Sequence, residues 1–245
     1  MKRVVIVQAR MGSTRLPGKV LLPINGQPML AQQLRRLQRC RMVDDIVVAT
    51  SRSAADDPII SVAEEAGIRW FRGDQEDVLG RFAEAAVEAK ADLVVRVTAD
   101  CPLVDPEIVD AVVERLVEKA TEADYCSNVL QRTFPRGLDC EALFTDALMR
   151  THRMATSKAA REHVTWFIYR ERPELFRLTS VVDAEGDNSD LRWTVDTAED
   201  LELIRKVFAM FELDVRPMPY RQLVEAVRRH PELCRLNASV AQKPV

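Results

Sequence analysis

Three short apolar runs, Val4 to Val7, Ile46 to Ala49 and Leu93 to Val97, are rich in valine and almost free of polar residues. That pattern belongs to strands covered on both faces. Between them, apolar positions recur at helical spacing from about Met29 to Cys40, Ile59 to Ala66 and Val78 to Ala89. Strand alternating with helix predicts an α/β fold, a mostly parallel sheet in three layers with helices on both faces. Ligands of such sheets bind beyond the carboxyl ends of the strands, so the residues after Val7 and Val97 mark the expected site. From about Tyr125 to Val182 the alternation fails, and residues 125–185 are expected to form an inserted lobe within a single unit spanning 1–245. Trp193 to Val195 is expected to return to the sheet, followed by helices from about Ala198 to Phe211 and Tyr220 to Arg229. The tail Ala238 to Val245 is expected to fray.

The loop after the first run is the most informative stretch. Gln8-Ala9-Arg10-Met11-Gly12-Ser13-Thr14-Arg15-Leu16-Pro17-Gly18-Lys19 sets three cations and two glycines directly behind Val7. Turn formers separate Arg10, Arg15 and Lys19, so the cations can converge on one anion, while Gly12, Ser13 and Gly18 let backbone N–H groups approach it. Guanidinium groups suit bidentate contact to phosphate, and lysine acts as a movable point charge. A nucleoside triphosphate is the ligand this chemistry predicts. Neither G-x-x-x-x-G-K-[S/T] nor G-x-G-x-x-G follows the strand.

Two acids stand where strands should end: Asp100 after Leu93 to Thr98, and Asp196 after Trp193-Thr194-Val195. Asp196 has a competing reading, since either it or Thr197 could cap the next helix. Asp105-Pro106-Glu107 reads as a plain N-cap with proline at N1, and Asp77 as another.

Composition narrows the partners. A formal net charge of -3 over 245 residues gives no global basic field, so nucleic-acid binding is not indicated and the clustered cations serve a local ligand. Five cysteines, Cys40, Cys101, Cys126, Cys140 and Cys234, lack any C-x-x-C pair and are expected to be reduced thiols. The first apolar run is too short for a signal segment or a membrane span, so a cytoplasmic location is expected.

Ala-Arg-x-x-x-x-Arg-Leu-Pro-Gly-Lys resembles the opening signature of the sugar cytidylyltransferases. The likeness extends to Thr98-Ala99-Asp100-Cys101-Pro102-Leu103, Phe134-Pro135-Arg136-Gly137-Leu138-Asp139, Arg161-Glu162-His163-Val164-Thr165 and Arg192-Trp193-Thr194-Val195-Asp196-Thr197. It is nearest to the spore-coat polysaccharide branch, beside the CMP-octulosonate and CMP-acylneuraminate synthetases. The resemblance implies a nucleotide-diphospho-sugar transferase-like, Rossmann-like fold and transfer of CMP from CTP to a sugar or sugar acid, with pyrophosphate released. It implies Arg10, Arg15 and Lys19 on the triphosphate and magnesium on Asp100 and Asp196. Two carboxylates completed by substrate phosphates are a usual magnesium shell. Gly73 and Arg81 match the segment beside the nucleobase. Asn128, Arg136, Asp139, Glu141, Arg161 and His163 are the polar groups implied for the acceptor, and a homodimer through the lobe is expected, with Trp166-Phe167-Ile168-Tyr169 as its apolar content. Two rivals remain: a glycosyltransferase on a similar scaffold, which should carry an Asp-x-Asp motif that is lacking near residue 100, and a nucleotide-binding protein without turnover. The acceptor's identity is not legible.

Overall fold

Valine-rich segments with almost no polar side chain to present to water must be covered on both faces. In the computed structural model, which describes residues 1–242, they form the middle of a seven-stranded sheet. In chain order the strands are β1 (Arg3–Gln8), a hairpin of β2 (Pro23–Ile24) and β3 (Gln27–Pro28), β4 (Asp45–Ser51), β5 (Arg69–Gly73), β6 (Leu93–Thr98), β7 (Tyr125–Ser127), β8 (Glu141–Phe144) and β9 (Leu178–Ser180). The large sheet runs β5-β4-β1-β6-β8-β7-β9. Its first four strands are parallel, β8 is antiparallel to both neighbours, and β7 and β9 are parallel. Gln8 is level with Ala49 on one side and Thr98 on the other, so the loops that follow β1, β4 and β6 leave the sheet along one edge.

The helices are α1 (Met29–Leu37), α2 (Asp57–Glu65), α3 (Val78–Glu88), α4 (Pro106–Glu118), α5 (Thr145–Met154), α6 (Lys158–Glu162), α7 (Ala198–Met210), α8 (Tyr220–Arg228) and α9 (Pro231–Arg235). Period-two alternation divides the strands between two cores. Val5 and Val7 pack with Leu30, Leu34, Val109 and Val112 on one face, while Val4 and Ile6 pack with Leu79, Phe82 and Leu148 on the other. Leu30, Leu34 and Leu37 recur at i, i+4 and i+7 on α1, the stripe that seats a helix on a sheet. The expected α/β architecture is therefore present, and the helix positions agree with the sequence pattern to within a few residues.

Three details differ. Trp193 to Val195 forms no strand: Arg136 and Arg192 make a lone parallel bridge, and the segment crosses the carboxyl edge, the Trp193 N–H donating to the Arg136 carbonyl at 2.7 Å and the Val195 N–H to the Asp100 carbonyl at 2.8 Å. Gly137 makes this crossing possible, because a Cβ there would lie 2.4 Å from the Thr194 nitrogen. Second, the segment expected as an inserted lobe supplies β7, β8 and β9 to the sheet. What stands outside the sheet is its middle: α5, α6 and a π turn at Phe167–Glu171, which pack on the α3 face. Third, the tail is partly anchored, since the Gln242 Oε1 accepts from the Arg192 Nη1 at 2.5 Å; the expected fraying of residues 243–245 lies outside the described residues. Among the described residues no helix is long and apolar enough to cross a membrane.

Candidate functional site

The loop after β1 is folded on the Met11 carbonyl, which accepts from the amides of Ser13 at 2.9 Å and Gly18 at 3.1 Å. The Met11 amide in turn donates to the Asp56 carboxylate at 2.8 Å, and the other Asp56 oxygen accepts from the Ser51 hydroxyl at 2.5 Å. Asp56 thus ties this loop to the end of β4. Burial would raise its carboxyl, but the bonds from Ser51 and Met11 hold it below the usual range. The amides of Gly12, Thr14 and Arg15 find no acceptor among the described residues, and Gly12 borders open space. Gly18 then precedes a short 3-10 turn, Lys19–Leu21, that turns the Lys19 side chain inward.

Lys19 joins the two acids. Its ammonium donates to Asp100, to Asp196 and to the Val195 carbonyl, each at 2.8 Å. Arg15 reaches the second Asp196 oxygen at 2.9 Å. Burial would lower the Lys19 ammonium, yet the charges and hydrogen bonds of Asp100 and Asp196 outweigh it and hold it above the ordinary lysine value. Burial would likewise raise Asp100, but Lys19 and a 2.6 Å bond from the Thr98 hydroxyl keep it ionised, below the usual carboxylate range. The turn carrying Asp100 is fixed from α1, where buried Gln33 donates to the carbonyls of Thr98 at 2.7 Å and Cys101 at 3.1 Å. The capping question resolves in favour of Thr197, whose hydroxyl and Asp200 form a reciprocal capping box at α7. Asp196 is left for the site. Asp105 and Asp77 are caps as expected.

Near Arg10 and Asp56 lies Arg81, 1% exposed and packed so closely under Gly73 that a Cβ there would meet the Arg81 Cγ at 2.7 Å. Its Nη1 donates to the Asp74 carbonyl at 2.7 Å, while Nε and Nη2 have no partner among the described residues. Burial and the nearby Arg10 both push its guanidinium down. A buried cation with unmatched donors is expensive. Arg10 itself is 3.7 Å from Glu162.

The residues implied for the acceptor do not behave alike. The Asn128 side chain is buried and has both ends engaged, Nδ2 donating to the Leu138 carbonyl at 2.7 Å and Oδ1 accepting the Cys140 amide at 2.9 Å. Glu141 is buried among Arg96, the Tyr125 hydroxyl at 2.5 Å and the Thr165 hydroxyl at 2.6 Å. Arg161 is bonded to Asp77 and to the His152 carbonyl. All three are engaged by internal partners in the folded chain, Asn128 and Glu141 buried and Arg161 partly exposed. Asp139 is held bidentately by Arg132 at 2.7 and 2.9 Å and stays partly open. Half-buried His163 has its ring pushed towards neutrality by burial, with Arg96 and Arg10 acting the same way and Glu162 opposing. Arg136 has no ion-pair partner among the described residues and lines a cavity of about 440 Å³ together with Arg192, Asn237 and Gln242. That cavity adjoins the acids through Arg192 but does not contain Lys19 or Asp100.

Sequence reasoning missed Asp56, Gln33 and Asp200. No local signal announces the first two, because each acts on a segment at least 45 positions away. Asp200 was visible only as a helix-start acid. Phe167 and Ile168 are buried in the chain's own core, so the tetrad Trp166 to Tyr169 is not a free apolar face.

Residues 4–229 match the family model described as Cytidylyltransferase. The chain is 32% identical to the spore coat polysaccharide biosynthesis protein SpsF of Bacillus subtilis, over 93% of this chain and 94% of that protein. It is 29% identical to a 3-deoxy-manno-octulosonate cytidylyltransferase of Anaeromyxobacter dehalogenans, with 84% and 97% covered. Among solved structures it is similar to a cytidylyltransferase from Leptospira borgpetersenii, with a TM-score of 0.91, 32% identity and coverage of 100% and 99%.

Proposed function

The chain belongs to the cytidylyltransferase family, and from that premise we propose that it transfers CMP from CTP to an anionic sugar acid for glycan assembly, using the cluster around Lys19. One observation carries the reading: a single ammonium is shared by two carboxylates from remote parts of the chain, at 2.8 Å each. Such a group is poised to change partners. A triphosphate entering above the loop offers Lys19, Arg15 and Arg10 more negative charge than the acids do, and the unpaired amides of residues 12, 14 and 15 add donors.

Once Lys19 leaves, Asp100 and Asp196 need another cation between them. Their donor set, hard oxygens converging on one point beside the Val195 carbonyl, fits magnesium. Two carboxylates leave most of an octahedral shell open, which phosphate oxygens and water would fill. Bound there, the ion would supply charge neutralisation at the α-phosphate. The acceptor hydroxyl oxygen attacks the α-phosphorus and gives up its proton to solvent, the new P–O bond forms as the bond to the β-phosphate breaks, and the cations of the loop hold the departing pyrophosphate. Pre-organised charge supplies the rate without a covalent intermediate. Arg81 and Gly73 are assigned to the base, the unmatched Arg81 N–H groups facing a pyrimidine acceptor atom. Arg136, with Asp139 and His163, is assigned to the acceptor, and its unpaired guanidinium favours an acid.

Pyrophosphate release measured across CTP, UTP, ATP and GTP with a panel of 2-keto-3-deoxy sugar acids tests this. Release with CTP and one acid is expected. Turnover only of a preformed sugar nucleotide would favour the glycosyltransferase, and no turnover a binding protein. A homodimer is proposed through the same half of the sheet, where β9 is an open edge and Met154, Leu178 and Val182 are 46%, 36% and 39% exposed. Light scattering that finds a stable monomer at micromolar concentration would refute it.

A further inference from the structure

Asp196 carries three cations, and they differ in their freedom to leave. Lys19 reaches one carboxylate oxygen at 2.8 Å, while Arg15 at 2.9 Å and Arg192 at 2.8 Å share the other. Arg15 and Lys19 belong to the loop that a triphosphate would recruit. Arg192 does not. It is 9% exposed, its Nε donates to Asp200 at 2.9 Å, its Nη1 donates to Gln242 at 2.5 Å, and its carbonyl accepts from the Asn237 side chain at 3.0 Å. Asp200 is fully buried and also accepts from Asn237 at 2.8 Å; its second oxygen accepts the Asp196 amide at 3.0 Å and the Thr197 amide at 3.1 Å. The Arg192–Asp200 pair therefore grips Asp196 twice, by its carboxylate and by its own backbone N–H.

We propose that Arg192 is a positioning residue that keeps the Asp196 carboxylate aimed and charge-compensated while Lys19 and Arg15 turn to the nucleotide, and that the segment after α9 locks it there through Asn237 and Gln242. The inference rests on Asp196 being an acid of the metal site. Its physical basis is that a carboxylate losing two of three cationic partners would otherwise be free to rotate away. A planar fork held on a second, buried carboxylate prevents that at no cost in mobility when the ligand arrives. The C-terminal segment thereby belongs to the site although none of its residues reaches the nucleotide cluster itself.

The full-length protein saturated with CTP is titrated with Mn2+, a paramagnetic stand-in for magnesium, and the free ion is read by electron paramagnetic resonance. Arg192→Met is expected to weaken Mn2+ retention roughly tenfold or more, the usual effect of losing a group that orients a ligand. CTP affinity measured by calorimetry in chelator should change less than about twofold, a split that a general loss of structure would not give. Arg192→Lys should recover part of the loss, because an ammonium reaches Asp196 but cannot fork onto Asp200. Asn237→Ala should shift Mn2+ affinity in the same direction by a smaller factor. A wild-type chain that binds CTP yet retains no Mn2+ overturns the metal-site reading and this inference with it. A wild-type chain that retains Mn2+, beside a folded Arg192→Met with equal affinity, overturns the inference alone. Should Arg192→Met fail to fold, wild-type Mn2+ affinity in both Arg192→Lys and Asn237→Ala overturns it.

Discussion

The edge of the sheet above β1 and β6 and the edge above β7 and β8 use the same residue types for opposite ends. Above β1 and β6, Lys19, Arg15, Asp100 and Asp196 form ion pairs that are partly open and share partners, so an incoming anion can redistribute them. Above β7 and β8, Asn128 and Glu141 are each held by fixed internal partners, and on α6 Arg161 is held by Asp77 and the His152 carbonyl. Charge alone does not make a site. A polar group contributes to binding when its present partner can be exchanged, and to stability when it cannot.

The largest expected effect breaks the first region. Asp100→Asn and Asp196→Asn should each lower pyrophosphate release by roughly 10²- to 10³-fold, the scale of losing one pre-organised charge, with the melting temperature nearly kept. Because both act through one cation, the double variant should lose far less than the product of the two. A near-normal rate in either, or multiplicative losses, would dissolve the contrast. The second region should respond in stability instead. Glu141→Ala strands Arg96 and two hydroxyls, so denaturant unfolding should show a loss of about 3 kcal/mol, while CTP affinity stays within about twofold in the folded protein. A large rise in the KM of the sugar-acid acceptor in a folded variant would place Glu141 in the acceptor site after all.

A finer comparison lies within the cations. Lys19→Ala should weaken CTP binding by roughly 1.5 to 3 kcal/mol, and Arg35→Ala on the exposed side of α1 by about 0.5 kcal/mol or less. Equal effects by calorimetry would remove Lys19 from the triphosphate. The smallest effect concerns the loop's anchor. The Asp56 carboxyl is held low in the folded chain, so its contribution is present above the ordinary value of about 3.9 and is lost as pH falls through its depressed folded value. Asp56→Asn should therefore cost about 1 to 2 kcal/mol at pH 7, and the gap to wild type should narrow as pH falls below about 4 and close only below the depressed folded value. A gap that persists in acid would mean that shape, not charge, anchors Met11.

Residues Val4 to Val7 and Leu30 to Leu37 made the central strands and first helix legible, because burial on two faces and burial on one stripe impose different periods on neighbouring residues. β7 and β9 escaped because each has three residues, too few to show a period. Thr197 and Asp196 stood as equal candidates for one cap, and the pull of Lys19, Arg15 and Arg192 separates them.

What the sequence determined by itself was local: which segments must be covered, where the chain turns, and that three cations and a strand-end acid stand beside the carboxyl edge. Only the tertiary structure decided which charges meet. Lys19 finds Asp100 81 positions away and Asp196 177 away, while Arg161 finds Asp77 84 away. Periodicity is a property of neighbours and survives in one dimension. Ion pairing depends on distance in space, and that is set when helices and strands are packed into layers.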